Sequence, residues 1–296
     1  MATSRTTHPR SRRPPGPNER ESIALITPRE KANSFMAKLP TPDYVAPHDL
    51  LKGKTVLMTA AAGAGIGFAT AQRCAEEGAR LFISDIHERR TAEAAEKLSE
   101  ISGQPCGYRL CNVRDDDDVR ALVDAATQEM GHIDVVINNA GLGGEVPIVD
   151  MTDDQWGAVM DITLNSVFRM TRAVLPHMME RRSGVIVNNA SVLGWRAQTG
   201  QAHYAAAKAG VMALTRCSAM EAAEYGIRIN AVAPSLAVHP FLVKTTPQEL
   251  IDELEEKEAF GRGAAPWEVA NVMVFLASDY SSYMTGEIVA VSSQQA

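Results

Sequence analysis

Cysteine, aromatic residues and long apolar runs are all scarce in this 296-residue chain, and each shortage narrows what it can be. The four cysteines (Cys74, Cys106, Cys111, Cys217) show no CxxC spacing and no histidine cluster beside them. Neither a disulfide framework nor a metal site is expected, and reduced thiols in a cytoplasmic protein are the default. The charge-free stretch Thr55–Ala71 is broken by glycines and shorter than the roughly 20 apolar residues that cross a bilayer, so no membrane span is expected. Positive charge is also short over most of the chain. Residues 1–46 carry eight Lys and Arg against four Asp and Glu, which leaves 21 against 32 for the rest. An acidic body argues against nonspecific nucleic-acid binding.

What is present, 45% hydrophobic, 22% charged and 5% aromatic residues, is the composition of a globular chain and not of a wholly disordered one. One domain of about 250 residues behind a tail fits the length. Residues 1–46 interleave prolines (Pro9, Pro14, Pro15, Pro17, Pro28, Pro40, Pro42) with arginines and show no sustained apolar period. They are expected to form a disordered or loosely attached extension ahead of a body over 47–296. A start at Met36 and a basic arm for nucleic acid or targeting are the competing readings; the prolines break any amphipathic helix and speak against the arm.

From Lys52 onward, short apolar runs alternate with alanine-rich stretches. Strands are expected at Thr55–Thr59, Arg80–Asp85, Gly107–Asn112, Val135–Asn138, Gly184–Asn188, Arg228–Val232 and Ile288–Val291. Helices are expected at Ile66–Glu77, Arg89–Ser102, Asp115–Met130, Asp153–Arg182, Tyr204–Tyr225 and Trp267–Ala277. Several strands are apolar at consecutive positions, as strands covered on both faces must be. The alternation predicts a single Rossmann-type, doubly wound parallel α/β sheet of about seven strands with helices on both faces. Ligands of such sheets sit beyond the carboxyl ends of the strands.

The first of those ends runs into Ala60-Ala61-Ala62-Gly63-Ala64-Gly65-Ile66-Gly67 and then a helix. Backbone amides and a helix N-terminus there suit a dinucleotide pyrophosphate, and glycines permit its close approach. The full GxGxxG fingerprint is missing, so a tight turn without a ligand is the bland alternative. Asp85 ends the second strand, where a carboxylate accepts ribose hydroxyls and repels a 2′-phosphate, favouring NAD(H) over NADP(H). Arg89 and Arg90 keep NADP(H) open.

Tyr204 and Lys208 open the most alanine-rich helix, and their i,i+4 spacing puts phenol and ammonium on one face. A phenol of ordinary pKa ~10 is a poor proton shuttle at neutral pH. A cation about 5 Å away at an effective dielectric of about 20 favours phenolate by roughly 3 kcal/mol, so a lowered Tyr204 pKa is expected. Ser191 follows the strand Gly184–Asn188, where its hydroxyl can grip a carbonyl oxygen.

These residues, with Asn138-Asn139-Ala140-Gly141, Asn230-Ala231-Val232-Ala233-Pro234 and Tyr283-Met284-Thr285-Gly286, resemble the short-chain dehydrogenase/reductase family from about Leu50 to Val291. The resemblance implies interconversion of a secondary alcohol and a ketone with a nicotinamide dinucleotide. Ser191 would polarise the carbonyl, Tyr204 exchange the proton, and Lys208 lower the tyrosine pKa and hold the nicotinamide ribose. Gly63, Gly65, Ile66, Gly67, Asp85, Asn112, Val113, Asn139 and Pro234 would line the cofactor. The family's dimers and tetramers imply a homo-oligomer through Asp153–Arg182 and Tyr204–Tyr225.

Departures from the family pattern fall at defined places. Ala61 stands for the first loop glycine, which would shift the turn. Thr163 stands where the proton-relay asparagine is usual, and Asn165 comes two residues late. Ser235 replaces a glycine, His239 the threonine that contacts the carboxamide, and Ser292-Ser293-Gln294-Gln295 the common Asp-Gly-Gly. Thr163 either holds the relay water or the relay is altered.

Asn188 through Gln198 and Tyr204 through Asn230 resemble the branch of the family that acts on hydroindane carboxylates carried as CoA thioesters in steroid ring breakdown. 3-Oxoacyl-ACP or acetoacetyl-CoA reduction is the alternative, and a dinucleotide-binding redox sensor without turnover is the alternative of another class. The segment 238–263 reads as a lid, with Phe241, Leu242, Leu250, Leu254 and Phe260 opposite Glu249, Asp252, Glu253, Glu255, Glu256 and Glu258, or else as an ordinary amphipathic surface helix. Leu142, Leu193, Trp195 and Phe241 would line a pocket for a fused-ring substrate. A CoA tail, repelled by the acidic face, would leave past Arg196, Lys244 or Arg262. Trp195 and His239 read equally as core residues, and His203 as packing.

Overall fold

Alternate residues of the first strand go to opposite sides of one sheet. Val56 and Met58 face one core cluster and Leu57 the other, and all three are fully buried. That two-sided burial, worth about 1.5–3 kcal/mol per large side chain, is why the strand is apolar at every position. The computed structural model describes residues 38–293. The expected extension up to residue 37, and Gln294 and Gln295, lie outside the described residues, as does the side chain of Phe241.

The strands are β1 (Thr55–Thr59), β2 (Arg80–Asp85), β3 (Gly107–Leu110), β4 (Val135–Asn138), β5 (Gly184–Asn189), β6 (Ile227–Pro234) and β7 (Ile288–Val291). All pair in parallel in the order β3-β2-β1-β4-β5-β6-β7. Strand order therefore reverses between β1 and β4, and the crevice at that switch point is where such a sheet takes its ligand. The helices are α1 (Ile66–Glu76), α2 (Glu88–Ser102), α3 (Asp116–Met130), α4 (Asp153–Met160), α5 (Ser166–Arg181), α6 (Ala202–Ala222), α7 (Pro240–Thr245), α8 (Gln248–Glu256) and α9 (Pro266–Ala277). Helices α1, α2 and α9 cover one face of the sheet, with Ala71, Leu98 and Met273 in its core. Helices α3, α5 and α6 cover the other, with Leu122, Val174 and Ala219.

The helix expected over Asp153–Arg182 is two helices joined by a π turn, Asp161–Asn165. The physical cause is lateral. Arg114 binds Asp161 from the loop after β3, and the hydroxyl of Thr163 bonds both backbone groups of Leu142, so the turn opens to serve neighbours outside the helix.

Before β1, residues 38–46 carry no helix or strand yet are fastened to the body. Lys38 pairs with Glu255, and Leu39 N donates to Phe260 O at 2.9 Å. The Tyr44 hydroxyl bonds Glu76, and its ring lies edge-on to Trp267 at 5.2 Å with the Arg73 guanidinium over it. Buried Glu77 then accepts the amides of His48 and Leu50.

Candidate active site

The turn after β1 places Ala60 at φ +52°, a left-handed conformation that costs an ordinary residue about 1–2 kcal/mol. Ala61 is fully buried, its amide bound to Ser84 O. The displacement expected at Ala61 thus takes the form of backbone strain one residue earlier. Gly67 tolerates no side chain, because a Cβ would stand 2.6 Å from Asn139 Nδ2 and closer still to Ala60 O. Gly63 is open, with nothing nearer than 3.9 Å to such an atom. Helix α1 starts at Gly65 with no side-chain cap and no acid in its first turn, so its leading amides are left for an anion. A cradle of this shape fits a dinucleotide pyrophosphate.

Asp85 stands beside the cradle. Its carboxylate accepts Ile86 N at 2.8 Å, His87 N at 3.3 Å and Ala62 N at 3.3 Å. Asn112 lines, with Ile86 and Asp118, a cavity of about 450 Å³ at the ends of β2 and β3. The Asn112 amide oxygen accepts the Arg114 amide, and half-buried Val113 follows. Pro234 ends β6 and is buried. The ring of His239 packs over Gly65, 3.5 Å from where a Cβ would be, while its Nδ1 accepts the Leu242 amide and so begins α7. Burial pushes the His239 pKa down.

Across the crevice, Ser191 follows β5 and Tyr204 and Lys208 lie on α6. The Ser191 and Tyr204 side chains interact, and the Lys208 ammonium lies 5.5 Å from the centre of the Tyr204 ring. Lys208 donates to Asn189 O; Asn189 Nδ2 donates to Asn139 Oδ1 at 3.0 Å, and Asn139 Nδ2 to Ala60 O at 3.0 Å. One line of hydrogen bonds therefore joins the ammonium to the glycine turn. Asn189 was not singled out in the sequence, although the doubled asparagine ending β5 is a visible signal. Its Oδ1 is buried without a partner, an acceptor left for a ligand hydroxyl.

The lowered phenol pKa is not what the site shows. Burial pushes Tyr204 up to about 12, against a smaller pull downward from Ser191, and pushes Lys208 down to about 7. Desolvation penalises both charges, and the ammonium is tied to a backbone carbonyl facing the ring. The phenol is consequently protonated at neutral pH.

Thr163 is fully buried, and its hydroxyl accepts Leu142 N at 3.0 Å and donates to Leu142 O at 3.2 Å. Its proton is committed to holding the loop after β4. Asn165 turns outward to Asp161, as its place on the helix predicts. His203 is buried and accepts the Tyr204 amide. On the substrate side, Leu193 is half-buried, while Leu142 and Trp195 are exposed.

The segment 238–263, expected to be a lid or an amphipathic surface helix, carries α7 and α8, with Ile251 the buried residue of α8. Two of its charges are misplaced by the pattern. Glu258 is buried, accepting Leu236 N and both the amide and hydroxyl of Ser293, because a tertiary contact overrides the helical face. Arg262 is buried in a two-pronged pair with Glu268 at 2.6 and 2.9 Å, so it is no exit for a CoA tail.

An uncapped glycine turn facing a serine, tyrosine and lysine across a parallel-sheet switch point is the arrangement of a nicotinamide-dependent alcohol/ketone oxidoreductase. The chain belongs to the short-chain dehydrogenase/reductase family: the family described as enoyl-(acyl carrier protein) reductase matches residues 60–293. It is 60% identical over 254 residues to the (5R,7aS)-5-hydroxy-7a-methyl-1-oxo-2,3,5,6,7,7a-hexahydro-1H-indene-carboxyl-CoA reductase of Mycobacterium tuberculosis, covering 86% of this chain and 97% of that one. A 3-oxoacyl-acyl-carrier-protein reductase of Thermotoga maritima is 39% identical over 241 residues, 81% of this chain and 97% of the relative. Among solved structures, a short chain dehydrogenase from Mycobacterium smegmatis superposes with a TM-score of 0.78 at 54% identity, covering 87% of this chain and 99% of that one. An NAD+-bound xylitol dehydrogenase gives a TM-score of 0.79 at 30% identity, covering 82% and 99%.

Proposed function

We propose that this protein is a cytoplasmic, NAD(H)-preferring reductase of a fused-ring ketone carried as a CoA thioester. The observation that carries the reading is the convergence of Ser191 and Lys208 on a half-buried, protonated Tyr204, linked by Asn189 and Asn139 to the glycine turn. In ketone reduction, the Ser191 hydroxyl donates to the carbonyl oxygen and Tyr204 delivers its phenolic proton to the forming alkoxide. Lys208 holds the Asn189 carbonyl and faces the phenol, keeping the pair in register. The nicotinamide supplies or accepts the hydride when bound. Gly63, Gly65, Ile66 and Gly67 would hold its pyrophosphate, Asp85 its adenosine ribose, Asn112 and Val113 its adenine. Asn139, Lys208 and Pro234 would line its nicotinamide half. Leu193, Trp195 and Phe241 would meet the substrate.

The CoA-thioester assignment rests on the 60% identical relative, a reductase of an indene-carboxyl-CoA. The 39% identical relative supports the second reading, a 3-oxoacyl reductase. A screen of NADH oxidation against short acyl-CoA ketones and ring-ketone CoA esters separates the two. Preference for short chains would reject the ring substrate, and NADH binding with no turnover of any ketone would favour a sensor. Exposed Trp156, Phe168 and Met220 on α4, α5 and α6 support a homo-oligomer, a tetramer in its fullest form. A monomer by light scattering at micromolar concentration would reject it. The expected extension is proposed for the residues before 38 alone, because residues 38–46, expected to belong to it, are bonded to the catalytic body.

A further inference from the structure

A cavity of about 400 Å³ opens where the glycine turn, α2 and α7 meet, walled by Gly63 and Ala64, by Arg90, Glu93 and Lys97, and by Lys244. Arg90, Glu93 and Lys97 are spaced i, i+3, i+7 and so share one face of α2. Three cations therefore face one carboxylate, and Glu93 is itself drawn to Arg89 at 3.8 Å. Among the described residues, Arg90, Lys97 and Lys244 enter no ion pair that would neutralise them. In a body with an excess of acids, such a concentration of positive charge is a focus for a polyanion.

Two features say which polyanion. The strip from Arg90 to Lys97 rises about 10 Å along the helix, longer than one phosphate group and suited to two separated ones. Asp85 is fixed against the Ala62 amide at the neighbouring ribose position, where its charge repels a 2′-phosphate, and Asp85 does not line this cavity. One wall belongs to the lid: α7 starts at His239 over Gly65, and Lys244 in its last turn faces the cavity. The exposed acids Glu249, Asp252, Glu253 and Glu256 of α8 deter the same ligand from the other half of the lid. We propose that the Arg90/Lys97/Lys244 cavity binds the phosphorylated nucleotide end of the coenzyme A thioester. This inference rests on the CoA-thioester reading above, which it extends by naming where the tail is held.

The test compares a ring-ketone CoA thioester with the N-acetylcysteamine thioester of the same acid, which lacks every phosphate. The enzymes are the wild type, Lys97→Ala, Lys244→Ala and the double variant, at low salt, with KM for NADH and NADPH measured alongside. Each substitution should raise KM for the CoA thioester roughly fivefold, the value of one exposed cation against a phosphate, and the pair more than tenfold. KM for the truncated thioester and for NADH should not move, and added salt should narrow the gap. An unchanged KM for the CoA thioester in the double variant overturns the proposal. So does a rise confined to NADPH, which would assign the strip to the cofactor's phosphate. A wild type that handles the two thioesters alike overturns the CoA reading itself and the proposal with it, whereas a wild-type preference that survives in the variants overturns the proposal alone.

Discussion

Replacing Lys208 by methionine should make the protein more stable and inactive, and the gain should depend on pH in a stated direction. Burial displaces Lys208 from 10.5 to about 7, and the residue is 3% exposed. Because the folded pKa lies below the unfolded one, the unfolded chain binds the extra proton between those values, and stability rises with pH across that window. The full penalty, felt below pH 7, is about 5 kcal/mol. Methionine removes it but strands the Asn189 carbonyl, which costs about 1–3 kcal/mol. The net expectation at pH 6 is a gain of about 2–4 kcal/mol that shrinks by up to ~1.4 kcal/mol per pH unit above 7. Urea unfolding of both proteins at pH 6, 7.5 and 9, at one protein concentration and without cofactor, reads it directly. A variant less stable than wild type at pH 6, or a difference that widens toward pH 9, would refute the desolvation argument.

Tyr204→Phe should lower kcat by 10²–10⁴ or more while leaving NADH affinity, read by fluorescence titration, unchanged; retained turnover would remove Tyr204 from proton transfer. Asp85→Ala should shrink the ratio of kcat/KM for NADH to that for NADPH, and an unchanged ratio would mean that Asp85 does not meet the ribose. Ala60→Gly should leave Tm unchanged or raise it, since relief of about 1–2 kcal/mol of left-handed strain outweighs the extra entropy of the unfolded chain. A clear fall in Tm would show that Ala60 is not strained. Arg262→Leu should destabilise by about 1–3 kcal/mol, because half-buried Glu268 loses its two-pronged partner; no measurable change in urea would contradict the pairing.

The sheet was legible because its strands are covered on both faces. β1, β2, β4 and β7 have the bounds that their apolar runs predict, and the parallel order follows from the helices between them. Ser191, Tyr204 and Lys208 were legible from spacing, since strand end and helix face place them without knowledge of packing. Features set by packing were not. The π turn at Asp161–Asn165 depends on Leu142 and Arg114, both distant in sequence. Glu258 and Arg262 have the spacing of solvated charges and are buried by partners that no local period reveals. The i,i+4 spacing of Tyr204 and Lys208 gives the wrong sign for the tyrosine pKa, because it reports the cation but not the loss of water around the phenol.

Both described ends of the chain grip the same short stretch. Lys38 and Leu39 hold Glu255 and Phe260, while Ser293 holds Glu258 and Ala259. The beginning and the end of the folded body are thus neighbours, although more than 250 residues separate them in sequence. A short peptide joining them, with the backbone reopened in the exposed loop at Gly143–Glu145, is a natural design for a circular permutant.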